Sequence, residues 1–114
     1  MDAALFSRVL AAAHALAGVE ATRRYDGATI LKHDGRFMAG PAMHVSAGPD
    51  SLVVKITPEE RAHWLDEAGD VYYVTDFYRP NPVVLVRLRR VDDDTLAAVL
   101  RAARNATVSV SARR

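Results

Sequence analysis

Turn-forming dipeptides interrupt the chain four times between residues 22 and 56. The segments between them contain four to six residues, which suits β-strands and is too short for ordinary helices. This series of short strands and tight turns predicts an antiparallel meander. The best hairpin candidate is His33-Asp34-Gly35-Arg36, because an Asp-Gly pair readily adopts the positive φ angles of a two-residue turn. The predicted strands are Thr22–Tyr25, Ala28–Lys32, Arg36–Ala39, Met43–Ser46 and Ser51–Ile56, and the turns are Asp26-Gly27, Asp34-Gly35, Gly40-Pro41 and Gly48-Pro49.

The helix with the strongest start signals follows this meander. Thr57 provides an N-cap oxygen, Pro58 fits the first helical position, and Glu60 completes the pattern of a capping box. The helix is predicted to run to about Ala68 and to end at Gly69.

Two further helices are predicted near the ends of the chain. Apolar residues at three- and four-residue spacing indicate an amphipathic helix over Ala3–Ala17, which Gly18 would terminate. The last helix is predicted to begin near Asp92 and to have Arg101 and Arg104 in its final turn. Acidic residues at its start and basic residues at its end complement the helix dipole.

The order of the predicted elements indicates the fold class. Val71–Val74 is a short β-branched and aromatic strand, and Val83–Arg90 is the most strand-like segment in the chain. Helices do not alternate strictly with strands, as they would around a parallel sheet. We therefore expect an α+β fold, with an antiparallel sheet whose one face is covered by helices.

Length and composition predict one domain. The chain has 114 residues, a formal net charge of +1 and no cysteine, so disulfides and thiolate metal sites are excluded. We assign residues 1–106 to a single domain and predict that residues 107–114 form a disordered tail in preference to an edge strand. Because Arg8 and His14 interrupt the apolar N-terminal run, we expect neither a signal peptide nor a membrane span, and a cytoplasmic location.

Alternation along the strand-like segments predicts a basic sheet face. If the aliphatic residues at the even positions of 53–56 and 84–88 face the helices, the odd positions face away from them. Cations on that open face suit phosphate oxygens, although exposed strands also carry Arg and Lys simply for solubility. The candidate nucleic-acid-binding residues are Lys32, Arg36, Lys55, Arg79, Arg87 and Arg89.

A cluster of aromatic residues offers a second candidate site. Tyr72, Tyr73, Phe77 and Tyr78 lie within seven residues, directly before Arg79. Together with Arg79 they suit a small-ligand or protein-interaction site. A cluster of this kind more often closes one end of a core, with its hydroxyls at the rim, so we expect mainly a packing role.

The sequence lacks the patterns of common enzymes and metal sites. Its histidines, at positions 14, 33, 44 and 63, do not have the spacing of a metal motif, and no glycine-rich phosphate loop occurs. Neither Ser46 nor Ser51 lies in the context of an activated nucleophile. We therefore expect no catalytic activity, no cofactor and no metal, and either a monomer or a weak homodimer.

The central part of the chain resembles the MmcQ/YjbR-like family of small bacterial proteins. The similarity lies in Ser51–Ile56 followed by Pro58-Glu59-Glu60-Arg61, in Asp70–Arg79 and in Val84–Leu88. Leu16-Ala17-Gly18-Val19-Glu20 also resembles the junction between the first helix and the first strand in that family. The similarity covers about residues 5–104.

This resemblance implies a frataxin-like (CyaY-like) two-layer sandwich and a DNA-binding function with a double-wing arrangement. The chain departs from the family pattern at Pro80–Val83, where aromatic residues are usual. It also has only Asp2 at its first helix, where frataxins carry an acidic iron-binding ridge. We therefore expect DNA binding without iron chemistry; the alternative is a non-enzymatic interaction or ligand-binding module built on the aromatic cluster and Arg79.

Overall fold

The computed structural model describes residues 1–112, and the side chains of residues 1–108. Three helices and six strands alternate irregularly along the chain. The elements are α1 (Ala3–His14), β1 (Val19–Arg23), β2 (Thr29–His33), β3 (Arg36–Pro41), β4 (Ser51–Lys55), α2 (Pro58–Glu67), β5 (Tyr72–Tyr73), β6 (Val83–Arg87) and α3 (Asp93–Ala112). No helix among these is long and apolar enough to cross a membrane.

The six strands form one antiparallel sheet in the order β1-β2-β3-β4-β6-β5. All three helices contribute side chains to a single core on one face of this sheet. Leu52 and Val54 of β4 and Val84 and Val86 of β6 are completely buried in that core. The predicted α+β class, an antiparallel sheet with helices on one face, is confirmed.

Side-chain oxygens mark the starts of the helices. The Thr57 hydroxyl accepts the Glu60 N–H at 3.2 Å, so the predicted start of α2 is confirmed. The Asp2 carboxylate accepts the N–H groups of Ala4 and Leu5 at the start of α1. These bonds satisfy amides that have no partner within the helix.

The predicted hairpin is also confirmed. His33 pairs with Arg36, and the two residues between them have positive φ angles, 53° at Asp34 and 72° at Gly35. Both values suit a two-residue turn that continues the strand twist. The hairpin register places Lys32 directly opposite Phe37, and a β-bulge follows in β3.

Several predicted boundaries are wrong. The segment 43–46 is a loop, although its alternating sequence favoured a strand. The first helix ends at His14, and β6 ends at Arg87 instead of Arg90. The last helix continues beyond Arg104 to residue 112, because Ala106 and Thr107 are buried. The end of the predicted disordered tail, residues 113–114, lies outside the described residues.

Candidate functional site

The second face of the sheet, opposite the helix-side core, carries the predicted cations Lys55 and Arg87 on its central strands. Val53 and Leu85 pack on this face in a small cluster that also contains Tyr78 and Val83. Since side chains alternate along a strand, Lys55 lies on the same face as Val53, and Arg87 on the same face as Leu85. The predicted division into even and odd positions is confirmed for β4 and β6.

Lys55 and Arg87 nevertheless lie at opposite ends of the β4–β6 pair. Lys55 pairs with Val83, whereas Arg87 pairs with Ser51, four positions further along β4. At about 3.3 Å per residue, this offset separates the two backbones by roughly 13 Å. The predicted cations therefore do not form one cluster.

Arg87 is occupied by contacts within the protein. Its guanidinium carbon lies 4.0 Å from the ring centroid of Tyr73, which is a cation–π contact. One of its nitrogens donates to the carbonyl oxygens of Gly69 and Asp70, at 3.2 Å and 3.3 Å. The Tyr73 hydroxyl in turn bonds the Ser51 hydroxyl and accepts the Gly48 N–H. These contacts give Arg87 a structural role between β6 and its neighbours.

Arg89 is neutralised by carboxylates. Its Nε donates to Asp50 at 2.6 Å, and a second nitrogen lies 3.8 Å from Asp2. The hydrogen bond from Arg89 lowers the pKa of Asp50 below its ordinary value of 3.8, and the same bond raises the pKa of Arg89. Arg89 therefore attracts an external phosphate less than the sequence suggested.

Arg79 does not line the cavity that contains Arg36 and Lys55. Its side chain is exposed and approaches Asp76 at 3.7 Å, on the loop before β6. It lines neither of the two cavities that contain Tyr78. Arg79 therefore does not contribute to either of these two cavities.

The remaining three cations lie near Phe37, although not on one face of the sheet. Arg36 pairs with His33, whose ring bonds Thr107 of α3, so Arg36 belongs to the helix side of β3. Lys32 is the cross-strand neighbour of Phe37 on the second face, which places their Cβ atoms about 5 Å apart. Arg36 and Lys55 line a cavity of about 350 Å³ together with Phe37. Among the described residues, no carboxylate forms an ion pair with any of these three cations. We call Lys32, Arg36 and Lys55 the basic cluster.

The aromatic cluster predicted from the sequence is divided between the two faces. Tyr72 packs against Trp64 in the helix-side core, with ring centroids 4.8 Å apart, so a packing role is confirmed for it. Phe77 and Tyr78 lie on the loop that covers part of the second face, with centroids 5.0 Å apart. Tyr78 is buried, but Phe77 is 54% exposed.

Phe77 and Tyr78 help to form an apolar groove across the second face. The groove has a volume of about 430 Å³ and adjoins the cavity of the basic cluster, since both contain Phe37, Val53 and Tyr78. Its full lining is Arg24, Phe37, Pro41, Met43, His44, Val53, Phe77 and Tyr78.

Long-range hydrogen bonds hold the walls of this apolar groove. The Tyr78 hydroxyl accepts the N–H groups of Met43 and His44, at 3.2 Å and 3.1 Å. The His44 ring stacks on Phe77 with centroids 3.7 Å apart and planes 8° from parallel. The Ser46 hydroxyl bonds both the His44 Nδ1 and the Thr75 hydroxyl at 2.8 Å. The two loops are thus joined to each other above the sheet.

Sequence reasoning missed Phe37, Met43, His44 and Val53 as site residues. Phe37 could have been predicted from the sequence, because the His33–Arg36 hairpin already implies that residues 32 and 37 face each other. Met43 and His44 carried no such signal, since they were assigned to a strand.

Within the described part of the chain, no three His, Asp or Glu side chains converge to hold a metal ion.

No protein-family model, curated protein or solved structure shows a significant match to this chain.

Proposed function

We propose that this protein is a cytoplasmic, non-enzymatic module that binds nucleic acid weakly through the second face of its sheet and the adjoining β2–β3 hairpin. The observation that carries the proposal is the basic cluster around Phe37. Lys32, Arg36 and Lys55 form no ion pair within 4.0 Å among the described residues. Glu20 is the cross-strand neighbour of Lys32, so Arg36 and Lys55 supply the charges that are most available to phosphates. Phosphate contacts supply most of non-specific affinity and require only positive donors.

The position of Phe37 adds a contact for a base. Phe37 is partly buried against the second-face cluster, so its remaining exposed ring surface is where an unpaired base would stack while its phosphates meet the charged side chains. The resemblance to MmcQ/YjbR-like proteins, which are described as DNA-binding, supports the same proposal. We propose fewer phosphate-binding residues than the sequence suggested, because Arg87 and Arg89 already have partners within the protein.

A net charge of +1 and three phosphate contacts imply low affinity. We expect a dissociation constant of about 10⁻⁴ to 10⁻⁶ M near physiological salt, without sequence preference. The test compares two variants with equal loss of charge, binding to the same labelled oligonucleotides in single-stranded and duplex form. One replaces Lys32, Arg36 and Lys55 with Gln; the other replaces Arg79, Arg90 and Arg101, which are exposed and lie outside the basic cluster.

The first variant should bind roughly a hundredfold more weakly than the parent, because three counterion-releasing contacts are lost. The second should stay within a few-fold of the parent. Equal effects of the two variants would show that overall charge, and not the basic cluster, determines binding. No binding by the parent even at low salt would reject the nucleic-acid proposal.

A further inference from the structure

The apolar groove on the second face is left unexplained by phosphate binding. Its surface is mainly aromatic and aliphatic, and two of its rim residues, Met43 and Phe77, are 49% and 54% exposed. A volume of about 430 Å³ lies within the usual range of small-molecule sites, roughly 300 to 1,000 Å³. The groove is therefore large enough to accommodate a small apolar group while remaining open on one side.

The groove is held open by its own contacts. Tyr78 bonds two backbone amides of the opposite loop, and His44 stacks on Phe77. Gly40 allows Ile30 and Phe37 to pack closely beneath the groove, because a Cβ at this position would lie 2.7 Å from the Ile30 Cγ2 and 3.4 Å from the Phe37 ring. A preformed cavity reduces the ordering that a ligand must impose when it binds.

The two ends of the groove differ in charge. At one end, the Arg24 guanidinium forms two hydrogen bonds with Asp26, at 2.9 Å and 3.0 Å, and a third with the Pro41 carbonyl. That end is neutral, and the bonds from Arg24 lower the pKa of Asp26. At the other end, the groove opens into the cavity that Arg36 and Lys55 line. A bound molecule therefore meets positive charge on one side only.

From this asymmetry we propose that the groove is a binding site for a small amphipathic anion. The apolar body, an aryl or short acyl chain, lies between Val53, Phe77 and Tyr78. Its carboxylate or phosphate points toward Lys55 and Arg36. The apolar lining favours ligands with an aryl or short acyl body, and the positive charge at one end of the groove determines the orientation of the bound ligand.

The test uses a matched pair of probes, 4-phenylbutyrate and its uncharged analogue 4-phenylbutanol. Both are titrated into isotopically labelled protein, and amide chemical shifts are followed by NMR. We expect saturable shifts at the amides of Met43, His44 and Val53, with the carboxylate bound about fivefold more tightly than the alcohol, as one partly exposed ion pair would give. Trp64 lies in the helix-side core, so its indole signal should not move.

Four substitutions separate the contributions. Lys55→Gln should bring the affinity for 4-phenylbutyrate closer to that for the alcohol, with Arg36 supplying the remaining preference, and Phe77→Ala should weaken both probes. Lys32→Gln and Arg79→Gln remove cations that do not line the groove, so they should change neither affinity. Because Lys32 belongs to the proposed phosphate contacts, the Lys32→Gln variant also distinguishes this site from nucleic-acid binding.

Shifts confined to other surfaces, or no saturable shifts at millimolar probe, would overturn the proposal. Equal affinities for the carboxylate and the alcohol in the parent would refute the assignment of an anion. An equal loss in the Arg79→Gln variant would refute the role of Lys55.

Discussion

Replacing Tyr78 with Phe removes one oxygen and leaves the ring in place. That oxygen accepts two backbone N–H groups, from Met43 and His44, and Tyr78 itself is only 8% exposed. A typical intramolecular hydrogen bond contributes about 1 kcal/mol net, so the loss of two should cost about 2 kcal/mol. For a domain of this size, such a loss lowers the melting temperature by about 8 °C.

Two measurements on the Tyr78→Phe variant check this figure. Thermal or urea unfolding gives the change in stability, and amide hydrogen exchange shows whether Met43 and His44 lose protection. Tyr25→Phe is the control, because Tyr25 is 87% exposed and its hydroxyl meets only the Met43 sulfur, at 3.9 Å. The control should change stability by less than about 0.5 kcal/mol. Unchanged melting and protection in Tyr78→Phe would refute the description of the loop anchor.

Three further substitutions test other parts of the structure. Thr57→Ala removes the N-cap of α2 and should cost about 1 kcal/mol in urea unfolding; an unchanged midpoint would show that this cap contributes nothing. Gly40→Ala forces Ile30 to move and should lower the free energy of unfolding by about 1 to 3 kcal/mol. A variant as stable as the parent would show that Ile30 and Phe37 are not tightly packed against Gly40. Because Arg89 lowers the pKa of Asp50 below 3.8, the bond stabilises the fold above that pH and is lost as the carboxylate is protonated. The melting temperatures of the parent and Asp50→Asn should therefore converge in acid, and a gap independent of pH would contradict this.

The sequence was sufficient to predict those structural features that are determined by interactions between residues close together in the chain. The start of α2 depends on a hydroxyl and an amide three residues apart, and the hairpin depends on two turn residues. Both were predictable for that reason. The side-chain alternation of β4 and β6 was predictable because each strand buries one face in the helix-side core.

The predictions from the sequence were wrong where residues distant in the chain determine the local structure. The segment 43–46 alternates like a strand, but Tyr78, more than thirty residues away, takes the amides that a neighbouring strand would have used. The sequence likewise gave no sign that Asp50 would neutralise Arg89, 39 residues later. The last helix passed its predicted end because burial of Thr107 outweighed its low helix propensity.

The salt dependence of binding to duplex DNA tests the central claim most directly, because it counts phosphate contacts. Each contact contributes a slope of about −0.9 to the logarithm of the binding constant against the logarithm of salt concentration, so the three residues of the basic cluster predict about −2.7. The variant lacking Lys32, Arg36 and Lys55 should show a slope near zero. A slope of about −5.4 would mean that all six candidate cations bind phosphate. That result, or a slope unchanged in the variant, would contradict the basic cluster as the binding site.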